Sequence, residues 1–440
     1  MASDDTGNRT PSNRMRQRLL RIAATLFVVV VVLGLCAAFG SEADSREVAW
    51  PANVGTSHFG ILGPGWRVDF AGAWVRPHPG PFIWGDIEST PEVYGWTMVD
   101  RAVQDLQRSR LAILATVWPF ARWDQEACHS NQARAHGAFR EFGSLLHSPC
   151  DVEAYTAWLT ALVERYDGDG VSDIPGLRYP IRHWETLNEP EMQGAQLCFF
   201  QEEPDVYVEL LRLSFATIKA ADPTAVVLPA GQSGIHREAV DYWRPVLKGA
   251  RGFFDLANIH SINYSDIQQA SAFWAPEYRV FLDELGYSST PYWITEALAG
   301  WIGPPDKSRP SEDELAQLVF VGSIAAFACG AEVIFHVGAN DPKSGKQEPA
   351  QGTFNLMGDV IGTFLTAEFI ARGAVRLDMP DRRTVYVLWD RAQLPNGVTG
   401  TVAVITYAGE VSEQAASAVI YCARPAIRGS MVLAILACLL

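Results

Sequence analysis

Two glutamates, Glu189 and Glu296, each stand at the end of an apolar run of the sequence. Glu189 closes the run IRHWETLNEP, and Glu296 lies in PYWITEA. Burying an unpaired carboxylate is costly, so a glutamate at the end of a buried strand calls for a partner or a function. If the two side chains face each other, one can protonate a leaving oxygen while the other attacks carbon or activates water. That division of roles is the chemistry that cleaves glycosidic bonds.

The segments that must position these glutamates alternate between strand-like and helix-like patterns. Eight short apolar runs occur between residues 53 and 374, namely VGTSHFGI, GAWVRP, LAILATVWPF, IRHWETLNEP, AVVLPAG, FFDLANIH, PYWITEA and AEVIFHVG. Amphipathic segments such as VDRAVQDLQRS and VEAYTAWLTALVERY lie between most of them. The alternation predicts an α/β fold, a (β/α)8 TIM barrel over 53–374, whose strand ends meet at one mouth. A doubly wound open sheet is the alternative, which the count of eight and the lack of GxGxxG after the first run disfavour.

The pattern changes after the barrel. The segments VRLDM, RTVYVLWD and GTVAVITYA read as antiparallel strands and predict a short β-rich extension at 375–424. The preceding stretch FNLMGDVIGTFLTAEFIARG is expected to cover the last barrel strand as a helix. The apolar tail 425–440 is too short to span a bilayer, and the sequence assigns it no role.

The first 52 positions carry a targeting pattern. Arginines cluster in a basic segment at 1–18, a nearly uncharged stretch fills 19–40, and an acidic linker follows at 41–52. Positive residues before an apolar segment orient its N-terminus to the cytoplasm. Segment 19–40 is therefore expected to be an N-terminal membrane segment, either a signal anchor or a cleaved signal peptide. The body is then extracytoplasmic, secreted or anchored to the cytoplasmic membrane.

Composition disfavours several partners and cofactors. The formal net charge of the 440-residue chain is −15 and its body has no basic stripe, so no nucleic acid partner is expected. The nine histidines are scattered and no CxxC or HxxxH spacing occurs, so neither a metal nor another cofactor is expected. After export, two of Cys128, Cys150 and Cys198 are candidates for a disulfide, with free buried thiols as the alternative. Cys128 and Cys150 flank a polar loop and are the first candidate pair for a disulfide.

The strand-end residues resemble those of a known group of enzymes. Asn188, Glu189 and Pro190 in the fourth run and Glu296 in the seventh resemble the clan A glycoside hydrolases. The stretch GAWVRPHPGPFIWGDIEST, followed by YGWTMVDRAVQDLQ, is similar to family 39 and its neighbours. The resemblance implies a retaining glycosidase with a carbohydrate substrate, Glu189 as acid/base and Glu296 as nucleophile. It also implies that Asn188 bonds the sugar hydroxyl next to the anomeric centre.

The same resemblance implies other residues of the mouth. Arg76 ends the second run and is expected to pair with Glu296, with a structural ion pair as the alternative. His260 occupies the place of a sixth-strand histidine. Ile262 stands where a tyrosine is usual in the family, so Tyr264 is expected to replace it.

Aromatic residues at the mouth are candidate platforms for sugar rings. Trp118 and Trp123 follow the third strand and Trp301 follows the seventh, and each has a packing role as its alternative. The eighth run carries His336 where the family often has tryptophan, which implies a changed sugar platform and a changed substrate.

Two other glutamates compete with Glu189 for the role of acid. Glu185 lies on the same face of the strand but one layer deeper, and Glu191 is expected in a loop on the rim. Glu189 itself has a structural alternative, a carboxylate at a helix N-terminus with Pro190 as the first helical residue. The alternative function from another class is a non-catalytic glycan-binding or cell-wall scaffold protein on the same barrel.

Overall fold

The computed structural model describes most of the chain after residue 46. The described residues are 47–63, 66–262, 272–298, 312–338, 349–390, 392–398, 401–406, 409–415 and 434–438. The basic segment 1–18 and the predicted signal segment 19–40 lie outside them. Within the described residues, no helix is long and apolar enough to cross a membrane.

Eight parallel strands form a nearly closed barrel, and each corresponds to one of the eight predicted runs. They are β1 (Phe59–Leu62), β2 (Trp74–Arg76), β3 (Ala112–Val117), β4 (His183–Thr186), β5 (Val226–Pro229), β6 (Ala257–Ser261), β7 (Tyr292–Ala297) and β8 (Ala331–His336). Strands β1 to β5 pair in chain order, as do β6 to β8, and β1 also pairs with β8. A single bridge between Gln232 and Ile259 joins the β5 side to β6. The pairing of β1 with β8 confirms the barrel over the open sheet.

Helices connect the strands and cover the barrel. They are α1 (Trp84–Ile87), α2 (Thr97–Arg108), α3 (Arg122–Cys128), α4 (Val152–Glu164), α5 (Pro204–Ala221), α6 (Arg237–Gly249), α7 (Ala275–Glu284), α8 (Glu312–Ala328) and α9 (Pro349–Ile361). Local sequence explains where two of them begin. The side chain of Asp151 accepts a hydrogen bond from Ala154 N and caps α4, and Pro204 fits the first turn of α5.

The barrel strands are buried on both faces. Trp74, Leu114, Leu228, Trp293 and Phe335 belong to one apolar cluster inside the barrel. Side chains at the alternate positions pack in a larger cluster with the helices. Strands covered on both sides need apolar residues at nearly every position, which is why the sequence shows them as continuous runs.

The C-terminal sheet is antiparallel and differs in extent from the predicted extension. Its strands are β9 (Thr366–Ala371), β10 (Ala374–Asp378), β11 (Thr384–Leu388), β12 (Thr401–Ile405), β13 (Val411–Ala415) and β14 (Ala434–Cys438), in the order β13-β12-β14-β11-β10-β9. Strand β9 lies in the stretch expected to be helical, so strand pairing begins before the predicted start at 375. Within the tail 425–440, β14 pairs with β11 and β12.

Residues 48–52, expected to be part of a linker, pack on the barrel. Val48 N donates to Gly168 O, and Trp50 donates from its indole to Val54 O. The Trp50 ring lies 6.3 Å from that of Trp74. The predicted linker therefore ends before Val48 and contributes aromatic packing to the barrel.

A disulfide closes the polar loop after β3. It joins Cys128 to Cys150, the pair that flanks this loop in the sequence. Cys198, the third candidate, is a buried free thiol.

Candidate active site

Arg76, the last residue of β2, organises the carboxyl end of the barrel. It is fully buried, and its three guanidinium nitrogens donate to three different side chains. Nε reaches Glu185 Oε2 at 2.7 Å, one terminal nitrogen reaches Glu296 Oε1 at 2.5 Å, and the other reaches Asn188 Oδ1 at 2.7 Å. The expected pair with Glu296 is present, together with an ion pair to Glu185.

Glu185 is a structural anion beneath the mouth. Besides Arg76, it accepts hydrogen bonds from Thr116 Oγ1 at 2.6 Å and from Asn258 Nδ2 at 2.5 Å. Its side chain is completely buried. A carboxylate that is buried among this many donors has a structural role and no access to a substrate, which removes it as a candidate acid.

Glu189 and Glu296 meet at the mouth, as the sequence predicts. One oxygen of each carboxyl group and one nitrogen of His260 lie within 4.8 Å of one another. The two glutamates are only 5% and 4% exposed. Glu189 follows β4 in a left-handed backbone conformation with φ of 34°, and Leu187 has φ of 71°. Such conformations in residues other than glycine cost on the order of 1–3 kcal/mol each and concentrate at functional sites.

Hydrogen bonds around His260 determine where the protons lie. The Thr295 hydroxyl is 2.7 Å from Asn258 Oδ1, an atom that only accepts, so Thr295 donates there and its oxygen accepts from His260 Nε2 at 3.0 Å. Burial lowers the pKa of His260 to about 4, so the ring is neutral and its proton is on Nε2. His260 Nδ1 is then an acceptor, 2.7 Å from Glu189 Oε1. Glu189 must therefore supply the hydrogen, as a protonated carboxylic acid.

The pKa shifts agree with this assignment. Burial raises the pKa of Glu189 to about 7, opposed by Arg76 and reinforced by Glu185. Burial also raises the pKa of Glu296, but the charge of Arg76 opposes that shift and Arg76 bonds the carboxylate directly. Two anions, Glu185 and Glu296, already share one arginine, so a third negative charge at Glu189 is unfavourable. The structure thus favours an ionised Glu296 beside a protonated Glu189.

His260 fits its place because Gly231, after β5, has no side chain. A Cβ at Gly231 would lie 1.9 Å from His260 Nε2. The backbone N of His260 also donates to Gln232 O at 2.6 Å, across the point where β5 and β6 are joined by a single bridge. The short bridge therefore supports the histidine that contacts the acid.

His78 is a mouth residue that the sequence analysis missed. Its Nδ1 lies 3.4 Å from an Arg76 nitrogen and 3.9 Å from Glu296 Oε1. Burial, with the charge of Arg76, lowers its pKa well below the usual value, so the ring is neutral. Because Nδ1 accepts from Arg76, Nε2 carries the proton and can donate to a sugar hydroxyl. The sequence could have indicated His78, because it lies two residues after Arg76, the last residue of β2.

Glu191 lies in the loop after Glu189, as expected. Its Oε1 accepts from Ser233 N at 2.6 Å. Burial and the neighbouring Glu189 raise the pKa of Glu191 to about 7. This bond ties the β4 loop to the β5 loop and gives Glu191 a structural role beside the acid.

His336 does not lie at the mouth, which corrects its assignment as a substrate platform. Phe335 points into the barrel, so the next residue of β8 points outward. The His336 ring is fully buried, bonds to Ser323 Oγ of α8 at 3.1 Å and packs against Trp66 at 5.7 Å. Burial lowers its pKa to about 3, so it is a neutral core residue.

The predicted tryptophans that the structure describes have packing roles. Trp118 is fully buried, donates to Pro79 O and lies 4.1 Å from Phe142 and 5.7 Å from His78 between ring centres. It supports His78 instead of presenting an open face. Trp123 is partly buried and donates to Glu88 O at 2.8 Å. Trp301 and Tyr264 lie outside the described residues.

Comparisons with known proteins relate the barrel to sugar-cleaving enzymes. Neither a family model nor a curated protein sequence matches the chain. Solved structures that share the fold include a family 39 glycoside hydrolase from Bacteroides cellulosilyticus WH2, with a TM-score of 0.54 and 15% identity over 87% of this chain and 79% of that one. The fold is that of these glycoside hydrolases. A glucosidase from Croceicoccus marinus gives 0.53 and 15% over 84% and 82%, and a family 30 xylanase from Clostridium acetobutylicum gives 0.52 and 13% over 86% and 92%.

We expect Thr295→Val to shift the pH dependence of catalysis. Without the hydroxyl acceptor, His260 can place its proton on Nδ1 and donate to an ionised Glu189, which lowers the pKa of Glu189 by about one unit. The alkaline limb of kcat/KM should then move to lower pH. Thr295 Oγ1 also lies 3.2 Å from Glu185 Oε1. Thr116→Val is the matched control, because it removes a hydroxyl bonded to Glu185 but keeps the bond between Thr295 and His260. Equal pH profiles for the two variants would contradict the proton assignment.

Proposed function

We propose that the protein is a retaining glycoside hydrolase that cleaves O-glycosidic bonds of a polysaccharide or oligosaccharide. The observation that carries the proposal is the approach of a Glu189 oxygen to a Glu296 oxygen within 4.8 Å at the mouth of the barrel. Retaining enzymes separate these groups by about 5–5.5 Å, whereas inverting enzymes need about 6.5–9.5 Å to admit water. The spacing supports direct attack by one carboxylate on the sugar.

The first step forms a covalent glycosyl–enzyme ester. Glu189 transfers its proton to the glycosidic oxygen as the bond from that oxygen to the anomeric carbon breaks, and the leaving part of the glycan departs as an alcohol. A Glu296 oxygen attacks the same carbon from the opposite face. Arg76 bonds the Glu296 carboxylate before the attack and keeps it oriented.

The second step hydrolyses the ester with the roles of Glu189 reversed. Once Glu296 is esterified its charge is gone, and Glu189 is left as the carboxylate. Glu189 then takes a proton from a water molecule whose oxygen attacks the anomeric carbon, and Glu296 leaves as the anion. Two successive inversions retain the configuration of the sugar.

Polar groups around the two carboxyl groups fit a hydroxyl-rich substrate. Arg76 can only donate hydrogen bonds, so the oxygen of the Asn188 amide faces it. The amide nitrogen Nδ2 is then the atom that can donate to the sugar hydroxyl beside the reacting carbon. His78 Nε2 is a second donor. Family 39, which the sequence resembles, includes endo-acting enzymes of bacterial exopolysaccharides, and an exported barrel fits that group.

Hydrolysis of a panel of oligosaccharides and polysaccharides by wild type and by Glu189→Gln tests the proposal. Products from the wild type, and their loss in the variant, support it. The alternative of a non-catalytic glycan-binding scaffold predicts glycan binding by both proteins and product from neither. That outcome would replace the enzymatic proposal.

We expect a bell-shaped pH dependence of kcat/KM. Glu189 must be protonated to act, and its pKa is about 7, so the rate should fall as the pH rises above about 7. Glu296 must be ionised, so the rate should also fall at acidic pH, at a limb displaced upward because burial raises its pKa. Initial rates from pH 4 to 9 measure both limbs. A rate that keeps rising through pH 9 would exclude Glu189 as the acid.

We also propose that the protein acts outside the cytoplasm, either secreted or held at the cytoplasmic membrane by segment 19–40. The disulfide between Cys128 and Cys150 supports an oxidising compartment. Protease treatment of intact spheroplasts should digest the membrane-bound form, or the protein should be recovered from the medium. Protection inside the cells, with both cysteines free to alkylation, would contradict this location.

A further inference from the structure

A second group of ligand-type side chains lies on the loops that follow β3 and β4. It consists of His129, His147 and Glu202, and we call it the loop cluster. One nitrogen of each imidazole and one oxygen of the carboxylate lie within 4.8 Å of one another. The two rings stack with centres 4.6 Å apart and planes at 22°. We propose that the loop cluster is a Zn²⁺-binding site, which goes beyond the proposed hydrolase function.

The hydrogen bond made by His129 favours the tautomer that a metal ligand requires. Its Nε2 lies 2.9 Å from Ser148 O. A carbonyl oxygen only accepts, so Nε2 carries the proton and Nδ1 presents its lone pair. Metal-binding histidines usually make this kind of bond from their second nitrogen, and it fixes both tautomer and ring orientation.

His147 is a buried ring that the protein alone does not satisfy. It is 6% exposed, and its Nδ1 lies 2.9 Å from Glu202 Oε1. Its Nε2 is buried and, among the residues that the structure describes, has no hydrogen-bond partner. An imidazole nitrogen left unpartnered in the interior is unfavourable, so this ring has unused ligand capacity beside a second imidazole and a carboxylate.

The donor set selects the class of ion. Two imidazole nitrogens and one carboxylate oxygen match Zn²⁺, which takes such ligands tetrahedrally and leaves one position for water. Calcium and magnesium prefer sites built from oxygen ligands alone. His129 and Glu202 are partly exposed, so an ion from solvent can reach the loop cluster.

The backbone holds the three side chains in place. Gln125 of α3 accepts from His147 N at 3.0 Å with its side chain, and its backbone oxygen accepts from His129 N at 3.0 Å. Glu202 O accepts from Gln193 Nε2 at 2.8 Å. The disulfide of Cys128 closes the segment immediately before His129. Ligands fixed in this way lose little freedom when an ion binds, which favours affinity.

Zinc at this position would join the β3 loop to the β4 loop next to the proposed active site. The same β3 loop supplies Phe139, whose ring lies 5.7 Å from that of His78. It also supplies Phe142, which packs against Trp118. The ion therefore stabilises the wall that supports the sugar-binding histidine and takes no part in the proposed reaction.

Titration of the oxidised full-length protein with zinc chloride tests the site. Protein treated with chelator, then dialysed without reductant, should bind one Zn²⁺ per chain by calorimetry and elemental analysis, with a rise in melting temperature. His129→Ala and Glu202→Gln should each weaken binding at least about 10-fold. Both positions are partly exposed, so the variants should fold, which circular dichroism checks. His136→Ala, an exposed histidine of the same loop, should bind like the wild type.

Three results would overturn the proposal. One is the absence of stoichiometric binding, or binding that His129→Ala leaves unchanged. Another is binding that Glu296→Gln abolishes and His129→Ala does not, because Glu189, His260 and Glu296 also cluster. The third is binding only after reduction, which would assign the ion to the thiolates of Cys128 and Cys150. Each readout is a binding measurement, so failure of the hydrolase proposal is distinguishable from failure of this one.

Discussion

Glu296→Ala should lower kcat at least about 10⁴-fold, because it removes the group that forms the covalent bond to the sugar. The shortened side chain leaves space on the face of the anomeric carbon that Glu296 occupied. Added azide should enter that space, attack the carbon directly and restore part of the turnover of an activated glycoside. The product should be a glycosyl azide of inverted configuration, since only one displacement has occurred.

The control for this variant is Glu332→Ala. Glu332 lies on the neighbouring strand β8 with an exposed side chain, so its removal changes charge without touching the mouth. Its activity should equal that of the wild type. If Glu296→Ala keeps half of the wild-type rate, or if azide yields a product of retained configuration, Glu296 is not the nucleophile.

Glu189→Gln should lower kcat/KM by about 10²–10⁴-fold for substrates whose leaving group needs protonation. Glutamine keeps the shape of the side chain but has no proton of suitable acidity to transfer. Aryl glycosides with acidic phenol leaving groups should lose much less in the first step, and the glycosyl–enzyme should accumulate because the base for the second step is missing. The alkaline limb of the pH profile should disappear, since its titrating group is gone.

Glu191→Gln is the matched control for the acid. It removes a neighbouring carboxyl group of the same loop, and the new amide oxygen can still accept from Ser233 N. Its kcat/KM should change less than about 10-fold, with the alkaline limb retained. A larger loss in Glu191→Gln than in Glu189→Gln would transfer the acid role to Glu191.

The barrel and the meeting of Glu189 with Glu296 were predictable from the sequence for one physical reason. Parallel strands buried on both faces read as continuous apolar runs, so a glutamate at the end of such a run is conspicuous. The ends of the strands converge in a barrel, so Glu189 and Glu296 could be expected to meet although they are distant in the chain. The pairing of Arg76 with Glu296 was expected from the resemblance to clan A enzymes.

Other features depend on information that a linear pattern lacks. The direction of His336 depends on register, because a shift of one residue along a strand moves a side chain to the opposite face. His78 follows its strand in a stretch rich in proline and glycine, where no periodicity indicates direction. The local sequence of β9 led to the expectation of a helix. Its pairing with β10, which the local composition does not reveal, makes it a strand.

The loop cluster illustrates the same limit for ligand sites. His129 and His147 have no spacing typical of a metal motif, and Glu202 belongs to the loop of another strand. The fold of the β3 loop and its closure by the disulfide bring them together. For this reason, the positions of the histidines along the sequence led to the expectation that no metal is bound.

The most direct test of the central claim is to trap the covalent intermediate on the wild-type protein. The probe is the 2-deoxy-2-fluoro derivative of a glycoside that the enzyme hydrolyses, with a good leaving group. The fluorine slows both displacements and the leaving group speeds only the first, so the glycosyl–enzyme ester should accumulate. Mass spectrometry of the digested protein should find one sugar on Glu296, within the β7 sequence YWITEA. Turnover of substrate without any labelled peptide, or a label on Glu189, would contradict the proposed double displacement.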